Sequence, residues 1–458
     1  MNPGFLAAGR VEARAAPRRR TSWSFTPRTL QLLAIGLLLL VPAWIDRRAL
    51  LAVLAWDVIV FAGWFLDLRR LPRPDALVVS RNWAGPLLLG APQIVRIHIR
   101  NEGSVSIAVR LTDFPDAALR ADPPEMAVMV PAQGEETASY EVVPAARGDA
   151  ALDHLALRYR SGAGLAERWA GVSLRQKVRV YPDIAEGQRQ SFALIRARQM
   201  VMEKRRARAH GLGRDFESLR EFQQGDELRD VCWTATARRG KLVARTYQPE
   251  RSQTVWIVVD TGRLMRARDG RRTALDRAVN AAFALAHVAS GAGDRVALLA
   301  YGRRPQQRIA PGRGPAQLRA FVDALAVTRG ETAEADHARA AATVTSSQKR
   351  RALIVWLSDL AETAAVPEVI ESAARLVPQH VLIFTVMKPP ELSALAARVP
   401  AAEDEMYRVM AAQEMIERRA RLLGQLRQRG GIALEVPSAE LTGTVIDRYL
   451  SVKERNLL

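Results

Sequence analysis

Cysteine is almost absent from this 458-residue sequence, which contains only Cys232. A single thiol excludes an intrachain disulfide, argues against a cysteine-based zinc site and fits a reducing compartment. The sequence also lacks the phosphate-binding pattern G-x-x-x-x-G-K-[ST], the nucleophile pattern G-x-S-x-G and the zinc pattern H-E-x-x-H. These absences predict a protein that is not an enzyme.

Histidine is scarce as well. The six histidines lie too far apart in sequence to form a metal-ligand pair on one helix or hairpin. We interpret each of them as a surface or core residue rather than as a ligand. They are His98, His154, His210, His287, His337 and His380.

Acidic side chains are outnumbered by basic ones, 48 against 67, which gives a net charge of +19. Such a balance is found in proteins that bind nucleic acid, anionic membranes or acidic partners. No basic–aromatic stripe accompanies the charge, which favours an arginine-rich composition on a membrane-facing cytoplasmic surface. An arginine-rich binder of anions or nucleic acid, built on residues 196–245, is the alternative.

Two apolar runs near the N-terminus predict a membrane anchor. Leu30–Ile45 and Leu50–Leu66 are each about 16–17 residues long, at the short end of what crosses a bilayer. Only residues 46–49 separate them, so residues 29–67 are predicted to form a two-helix transmembrane hairpin. Asp57 lies within the second run, where it could relay protons or contact a neighbouring helix or partner protein.

The flanking charges predict the orientation of this hairpin. The basic segment 1–28 contains one acid, Glu12, and Arg69, Arg70 and Arg73 follow the second run. By the positive-inside rule, both ends of the chain and all later domains lie in the cytoplasm, at a bacterial inner membrane. A cleaved signal peptide is the alternative, but no A-x-A site follows the first run before the second begins.

Residues 76–183 change to a short-strand rhythm. Apolar and polar residues alternate on both sides of "NEGS", as in a β-hairpin, and the pattern continues to "VRVYP". Strands of this spacing without long helices predict a β-sandwich-like domain. We interpret it as a spacer or protein-interaction module.

Residues 184–250 are too rich in apolar and aromatic residues for a linker. Phe216, Leu219 and Phe222 fit one face of a helix, "QQGDELRDV" fits a turn and a short helix, and "KLVARTYQPE" alternates like a strand. The segment "GRDFESLREFQQGDELRDVCWTATARRGKLVARTYQPE" resembles the signature of the bacterial family called domain of unknown function fifty-eight. The resemblance extends over the membrane segments and the domain that follows.

The signature places six residues in a partner-binding motif or a structural junction. We expect Asp226 to pair with an arginine and an arginine to stack on the indole of Trp233. The six are Arg220, Gly225, Asp226, Arg229, Trp233 and Arg238.

Residues 251–458 alternate strands and helices, which predicts a doubly wound, mostly parallel α/β sheet. Within the overall α+β multidomain chain, this domain resembles a von Willebrand factor type A domain. The apolar run Val255–Asp260 then corresponds to the first strand, whose carboxyl end carries a metal-ion-dependent adhesion site in such domains. That site binds Mg²⁺ through hydroxyl and carboxylate oxygens.

The adhesion-site pattern is degenerate in this sequence. Asp260 and Asp359 match its two aspartates and Thr332 its threonine, but Gly262 and Leu264 replace its two serines. Either Mg²⁺ is held by the three remaining ligands through water, or Asp260 caps the following turn or pairs with a nearby arginine, Arg263 or Arg266.

The family resemblance implies a function in protein assembly. Its members are membrane-anchored and are associated with MoxR-type AAA+ ATPases and with other adhesion-type membrane proteins. The expectation is a cytoplasmic interaction module with an assembly or chaperone-like role and no specific nucleic-acid partner. A metal-dependent hydrolase that uses Asp260 and Asp359 is the enzymatic alternative.

Overall fold

A computed structural model describes residues 11–17, 22–38, 49–183, 215–223, 231–248, 253–359, 366–388, 390–455 and 457. The chain forms two compact units, Met1–Tyr181 and Pro182–Leu458. The boundary follows the last strand of the β-rich segment, two residues before the end expected from the sequence.

The first unit contains two β-sheets that enclose one hydrophobic core. Its longer strands show the alternation of buried and exposed residues that the sequence pattern predicts, because successive side chains of a strand point to opposite faces. The four-stranded sheet has the order β1 (Val11–Arg14), β4 (Leu77–Trp83), β6 (Gln93–Asn101), β9 (Glu135–Val142). The second sheet has the order β2 (Ala16–Pro17), β11 (Ala166–Tyr181), β10 (Gly148–Ser161), β7 (Ile107–Pro115), β8 (Glu125–Val130), and both β3 (Trp23–Phe25) and β5 (Leu87–Leu88) pair with β11.

A buried ion pair crosses this core. The guanidinium of Arg81 donates to both carboxylate oxygens of Asp113, at 3.0 and 2.5 Å, and both side chains are fully buried. The hydroxyl of Tyr140 donates to the same carboxylate at 2.8 Å. Because the charges are paired and hydrogen-bonded, they are tolerated at this depth.

The segment before the first apolar run belongs to this sandwich, which differs from the expectation of a separate basic N-terminal segment. Strand β1 pairs antiparallel with β4, and β2 and β3 pair antiparallel with β11. No strong local pattern marks these strands, because they have only two to four residues and are interrupted by arginines.

In the sequence, two helices separate the N-terminal strands β1–β3 from the other strands of the sandwich. Helix α1 spans Pro27–Leu38 and helix α2 spans Ala49–Arg70. The part Leu50–Arg70 is long and apolar enough to cross a membrane by length and composition. The first predicted run is helical as far as Leu38, and its remainder lies outside the described residues.

The two helices contact each other closely. The indole Nε1 of Trp56 donates to the carbonyl of Leu32 at 2.8 Å. Gly36 permits this approach, because a methyl group added there would lie 2.7 Å from Trp56 Cδ1 and 3.2 Å from Asp57 Oδ1. The carboxylate of Asp57 therefore lies against the neighbouring helix.

The second unit is built on a doubly wound sheet of six strands in the order β18-β17-β14-β19-β20-β21, all parallel except β18. The predicted strands and helices are present at their expected places, and strand β18 and helix α8 are additions to them. The strands are β14 Thr254–Asp260, β17 Arg295–Tyr301, β18 Pro305–Gly312, β19 Leu353–Ser358, β20 Val381–Lys388 and β21 Ile432–Pro437. The helices are α4 Ala274–Gly291, α5 Gly314–Val327, α6 His337–Ser347, α7 Val366–Ala374, α8 Pro390–Ala396, α9 Glu403–Gln428 and α10 Leu441–Glu454. A two-residue strand pair, β15 Arg268–Asp269 and β16 Arg272–Thr273, precedes α4.

The signature segment adds a separate two-stranded sheet to this unit. Strand β12 (Asp215–Glu221) pairs antiparallel with β13 (Val243–Gln248), and helix α3 (Trp233–Arg239) lies between them in sequence. The helical interpretation of Phe216, Leu219 and Phe222 was therefore wrong, whereas the strand expected in "KLVARTYQPE" is present. The short helix expected in "QQGDELRDV" lies outside the described residues except at its ends.

Candidate functional site

The carboxyl ends of β14 and β19 form the topological switch point of the six-stranded sheet. Both strands are parallel and adjacent, and the chain leaves them toward opposite sides of the sheet order. Ligands of doubly wound sheets bind in the crevice at this point. Asp260 is the last residue of β14, and Asp359 follows the last residue of β19.

Asp260 is almost fully buried, with 3% of its surface exposed, and both carboxylate oxygens accept hydrogen bonds. Oδ1 accepts from the backbone N–H of Gly262 at 2.7 Å, and Oδ2 accepts from the hydroxyl of Ser358 at 2.7 Å. Burial raises the pKa of Asp260 to about 6, and the nearby carboxylates of Asp359 and Glu331 raise it further, against the lowering effect of the two hydrogen bonds. Asp260 thus caps the turn that follows its own strand.

Asp359 is paired with an arginine from a distant helix. The Nη2 of Arg419, in α9, donates to Asp359 Oδ1 at 2.9 Å and to the carbonyl of Met387 at 2.7 Å. The Nε of Arg419 also lies 3.4 Å from a carboxylate oxygen of Glu435. The positive charge next to Asp359 is therefore supplied by the protein itself.

The turn after β14 leaves no room for an adhesion-site serine. The loop formed by residues 329–336, here called the capping loop, packs against it: Arg263 N–H donates to Ala333 O at 2.9 Å. A Cβ atom added to Gly262 would lie 2.9 Å from the backbone nitrogen of Ala335 and 3.0 Å from its Cβ. Thr332, the candidate threonine ligand, is an exposed residue of the capping loop.

The residues at the predicted metal-ligand positions do not fit a metal site. The oxygens of Asp260 accept protein donors, Asp359 pairs with Arg419, and Gly262 and Leu264 carry no oxygen on their side chains. Across the part of the chain that the structure describes, no group of three or more histidine, cysteine, aspartate or glutamate residues is arranged to hold a metal ion.

A buried polar network lies beside Asp260 and was not predicted from the sequence. The indole Nε1 of Trp356 donates to the hydroxyl of Tyr301 at 2.7 Å, and this hydroxyl lies 2.8 Å from Nδ1 of His337. Because the Tyr301 oxygen accepts from Trp356, its proton is free to point to His337, whose Nδ1 then accepts. Burial lowers the pKa of His337 to about 4, in agreement with a neutral ring.

The capping loop is hydrogen-bonded to the residues that directly follow β14 and β17. Glu331 N–H donates to Thr261 O at 2.7 Å, and Asp336 N–H donates to Gly302 O at 3.0 Å. The side-chain amide of Gln306 in β18 donates to Glu331 Oε1 at 2.9 Å and to Thr261 Oγ1 at 3.0 Å. The loops after β14 and β17 and the capping loop therefore form one connected surface at the carboxyl edge of the sheet.

The signature residues are only partly described. Arg220 lies in β12, and Gly225, Asp226 and Arg229 lie outside the described residues. Trp233 begins helix α3 with 64% of its surface exposed, and Arg238 is exposed on the same helix. The expected pairing of Asp226 with an arginine stays a prediction.

Several solved structures resemble parts of the chain. The conserved hypothetical protein BatB from Bacteroides thetaiotaomicron is 13% identical; the match covers 44% of this chain and 99% of that chain, with a TM-score of 0.30. Proximal thread matrix protein 1 from the mussel byssus is 10% identical, with coverages of 44% and 46% and a TM-score of 0.27. The CARDB domain of a Pyrococcus furiosus protein is 9% identical, with coverages of 22% and 83% and a TM-score of 0.16.

The family resemblance noted in the sequence is confirmed by a match to a protein family. No curated protein sequence matches the chain. The matched residues, 218–416, begin within β12, contain the switch point and end in α9. Residues 218–416 match the family model described as protein of unknown function DUF58.

Proposed function

We propose that this protein is a membrane-anchored, cytoplasmic interaction module of the von Willebrand factor type A kind, which works with a MoxR-type AAA+ ATPase in protein assembly. The observation that carries the proposal is the connected loop surface at the switch point, formed by the turn after β14, the turn after β17 and the capping loop. A surface fixed by several hydrogen bonds is already ordered for binding, which lowers the entropic cost of association.

The interaction works without a bound metal. In an adhesion site, Mg²⁺ presents its open position to a carboxylate of the partner. Here Arg419 neutralises Asp359. A side chain at position 262 would clash with Ala335, so glycine is required there. Partner recognition therefore rests on the loop side chains and not on an ion at Asp260, Thr332 and Asp359.

The anchor is a transmembrane hairpin in the inner membrane. Strands β1–β3 precede the two helices in sequence, and their partner strands β4 and β11 follow them. Because a bilayer cannot divide one folded sandwich, both ends of the helical segment lie on the same side. Arginine-rich flanks favour the cytoplasmic side for this module.

The C-terminal end of helix α2 is hydrogen-bonded to the sandwich. The carboxylate of Asp67 accepts from Ser161 Oγ at 2.5 Å and from the backbone N–H groups of Leu165 and Ala166 at 2.9 and 2.8 Å. At the start of α1, Thr29 Oγ1 donates to the carbonyl of Leu165 at 2.6 Å. The turn between β10 and β11 thus holds both helices, which supports a sandwich seated at the membrane surface.

Site-specific photocrosslinking tests the proposal. A photoreactive amino acid at Thr332, on the capping loop, is expected to crosslink an AAA+ ATPase in intact membranes, with and without Mg²⁺. The matched control position is Lys349, an exposed residue just before β19 at the opposite edge of the sheet. The proposal is wrong if the ATPase crosslinks from neither position or equally from both.

The enzymatic alternative is not favoured by the site. A metal-dependent hydrolase needs open coordination positions and a base, whereas the Asp260 and Asp359 carboxylates both accept protein donors. The description of the matched family names no enzymatic activity. Hydrolysis by the wild type that requires a divalent metal, and that is lost in Asp359→Ala, would revive this alternative.

A further inference from the structure

We propose that the loop surface binds an acidic segment of its partner directly through arginines, without a metal ion. This inference deepens the proposed function and rests on it. It concerns four exposed arginines on the loops after β14 and β17 and on the capping loop, here called the arginine face. They are Arg266, Arg303, Arg304 and Arg329.

The four arginines lie on loops that are connected to one another. Arg266 ends the turn after β14, and its side chain packs on Gly330, where an added Cβ would lie 2.7 Å from Arg266 Cγ. Arg329 precedes that glycine, and its N–H donates to the Gln306 side chain at 3.1 Å. Arg303 and Arg304 form the turn after β17, where Arg303 N–H donates to a carboxylate oxygen of Glu331 at 2.9 Å.

The guanidinium groups of the arginine face have no ion-pair or hydrogen-bond partner within the described ranges of the chain. Each is exposed, so its charge is available to a second molecule. By contrast, the neighbouring Arg263 is engaged, because its Nη2 lies 2.9 Å from the carboxylate of Glu334. The four arginines therefore carry positive charges that form no ion pair with the described acids of the same surface.

The acids on this surface are already occupied by the protein. Glu334 pairs with Arg263, and Glu331 accepts from Gln306 and from the backbone N–H of Arg303. Asp336 caps helix α6 by accepting from Arg339 N–H at 2.8 Å and pairs with the Arg339 side chain at 3.1 Å. A basic partner would have to break these contacts, whereas an acidic partner would meet unpaired cations.

The chemistry of arginine suits the role that the metal has lost. A metal ion in an adhesion site presents positive charge to a carboxylate of the partner. A guanidinium presents the same sign of charge with paired N–H donors that match a carboxylate bidentately. Several arginines on neighbouring loops favour a segment that carries several aspartates or glutamates over a single carboxylate.

Peptide binding to the full-length protein in zwitterionic nanodiscs tests this inference. The probe is a fluorescein-labelled peptide of alternating glutamate and serine, measured by fluorescence anisotropy in EDTA and in Mg²⁺. We expect binding in both buffers, and at least about tenfold weaker binding by the double variant R303Q/R304Q, which loses two charge-assisted contacts. The hydrogen bonds of this turn are made by backbone atoms of Arg303 and Arg304 and not by their side chains, so the variant is expected to fold.

The matched control is R350Q/R351Q, which removes the same charge from two adjacent exposed arginines at the opposite edge of the sheet, before β19. We expect its affinity to stay within about twofold of the wild type, because general attraction to a basic protein is spread over the surface. The inference is overturned if the wild type does not bind, if EDTA abolishes binding, or if both double variants weaken it equally. A partner that still crosslinks at Thr332 in that case would leave the proposed function intact and remove only its acidic specificity.

Discussion

Asp359 and Arg419 are 60 residues apart in sequence, yet Arg419 Nη2 lies 2.9 Å from Asp359 Oδ1 at the switch point of the sheet. Both side chains are mostly buried, with 12% and 7% of their surfaces exposed. The same guanidinium donates to Met387 O, at the end of β20. Arg419 thus joins α9 to two strand ends and places a fixed cation beside Asp359.

Removal of this cation is expected to destabilise the second unit. Arg419→Met leaves the carboxylate of Asp359 and the carbonyl of Met387 without this donor, and breaking a buried pair costs roughly 3–5 kcal/mol. Hydrogen exchange in the full-length protein measures the loss locally, as faster exchange of the β19 and β20 amides. Arg418→Met, on the exposed side of the same helix, is the control and is expected to leave exchange unchanged. Equal exchange in both variants would contradict a structural role for the pair.

Asp260 is expected to make the second unit less stable as the pH rises. Its folded pKa of about 6 lies above the ordinary value of 3.8, so the folded state binds more protons than the unfolded state between these values. Its stabilising contribution is complete below about pH 4 and is lost as the pH passes 6, a change of at most about 3 kcal/mol.

His337 acts in the opposite direction over nearly the same range. Its folded pKa of about 4 lies below the ordinary 6.5, so its contribution is complete above pH 6.5 and is lost as the pH falls toward 4. We therefore expect a shallow pH profile for the wild type, because the two effects offset each other.

Single variants separate the two effects. Asp260→Asn retains an acceptor for Gly262 N–H and removes the titration, so its stability is expected to rise with pH from 4 to 6.5. His337→Asn retains an acceptor in the place of Nδ1, so its stability is expected to fall with pH from 4 to 6. Denaturation followed by the fluorescence of the buried Trp256 and Trp356 measures both profiles. Parallel profiles in the two variants would refute the assignment.

Restoring a serine to the turn after β14 is not expected to restore a metal site. In Gly262→Ser the new Cβ would meet the backbone nitrogen of Ala335 at 2.9 Å, which forces the capping loop to move. Overpacking of this kind costs roughly 1–3 kcal/mol. Calorimetry is expected to detect no Mg²⁺ binding, and exchange in the capping loop is expected to accelerate. Leu264→Ser, at the other position where the adhesion-site pattern has a serine, is the control and leaves that contact unchanged.

The sequence predicted the second unit well where one strong local pattern determines the element. Val255–Val259 is apolar and mostly β-branched, and it lies in a central strand with two parallel neighbours. Strand β18 was missed because "PQQRIAPG" contains two prolines and little alternation. The strand character of β12 was missed because a β-bulge between Phe216 and Ser218 interrupts the period of two, leaving a spacing that also fits a helix.

The chemistry of the site could be predicted only in part. Glycine and leucine at positions 262 and 264, in place of the two serines of the expected pattern, were visible in the sequence, and Asp260 was correctly assigned to a strand end. The partner of Asp359 was not predictable, because Arg419 reaches it from a helix that begins 44 residues later, and no local pattern links the two. The same holds for the contact of Trp356 with Tyr301, which depends on the packing of non-adjacent strands β19 and β17 beside α6.

The paired strands on either side of the helices predict the accessibility of three engineered cysteines. In a C232A background, Glu12→Cys in β1 and Ser104→Cys before β7 both lie in the sandwich, whereas Arg47→Cys lies between the two apolar runs. We expect a membrane-impermeant maleimide to label only the Arg47→Cys protein in intact spheroplasts and all three after permeabilisation. Because β1 pairs with β4, the two sandwich positions must lie on one side of the bilayer. Labelling of Glu12→Cys and Ser104→Cys from opposite sides would rule out this sandwich in the membrane-bound protein, and labelling of all three without permeabilisation would rule out the cytoplasmic orientation.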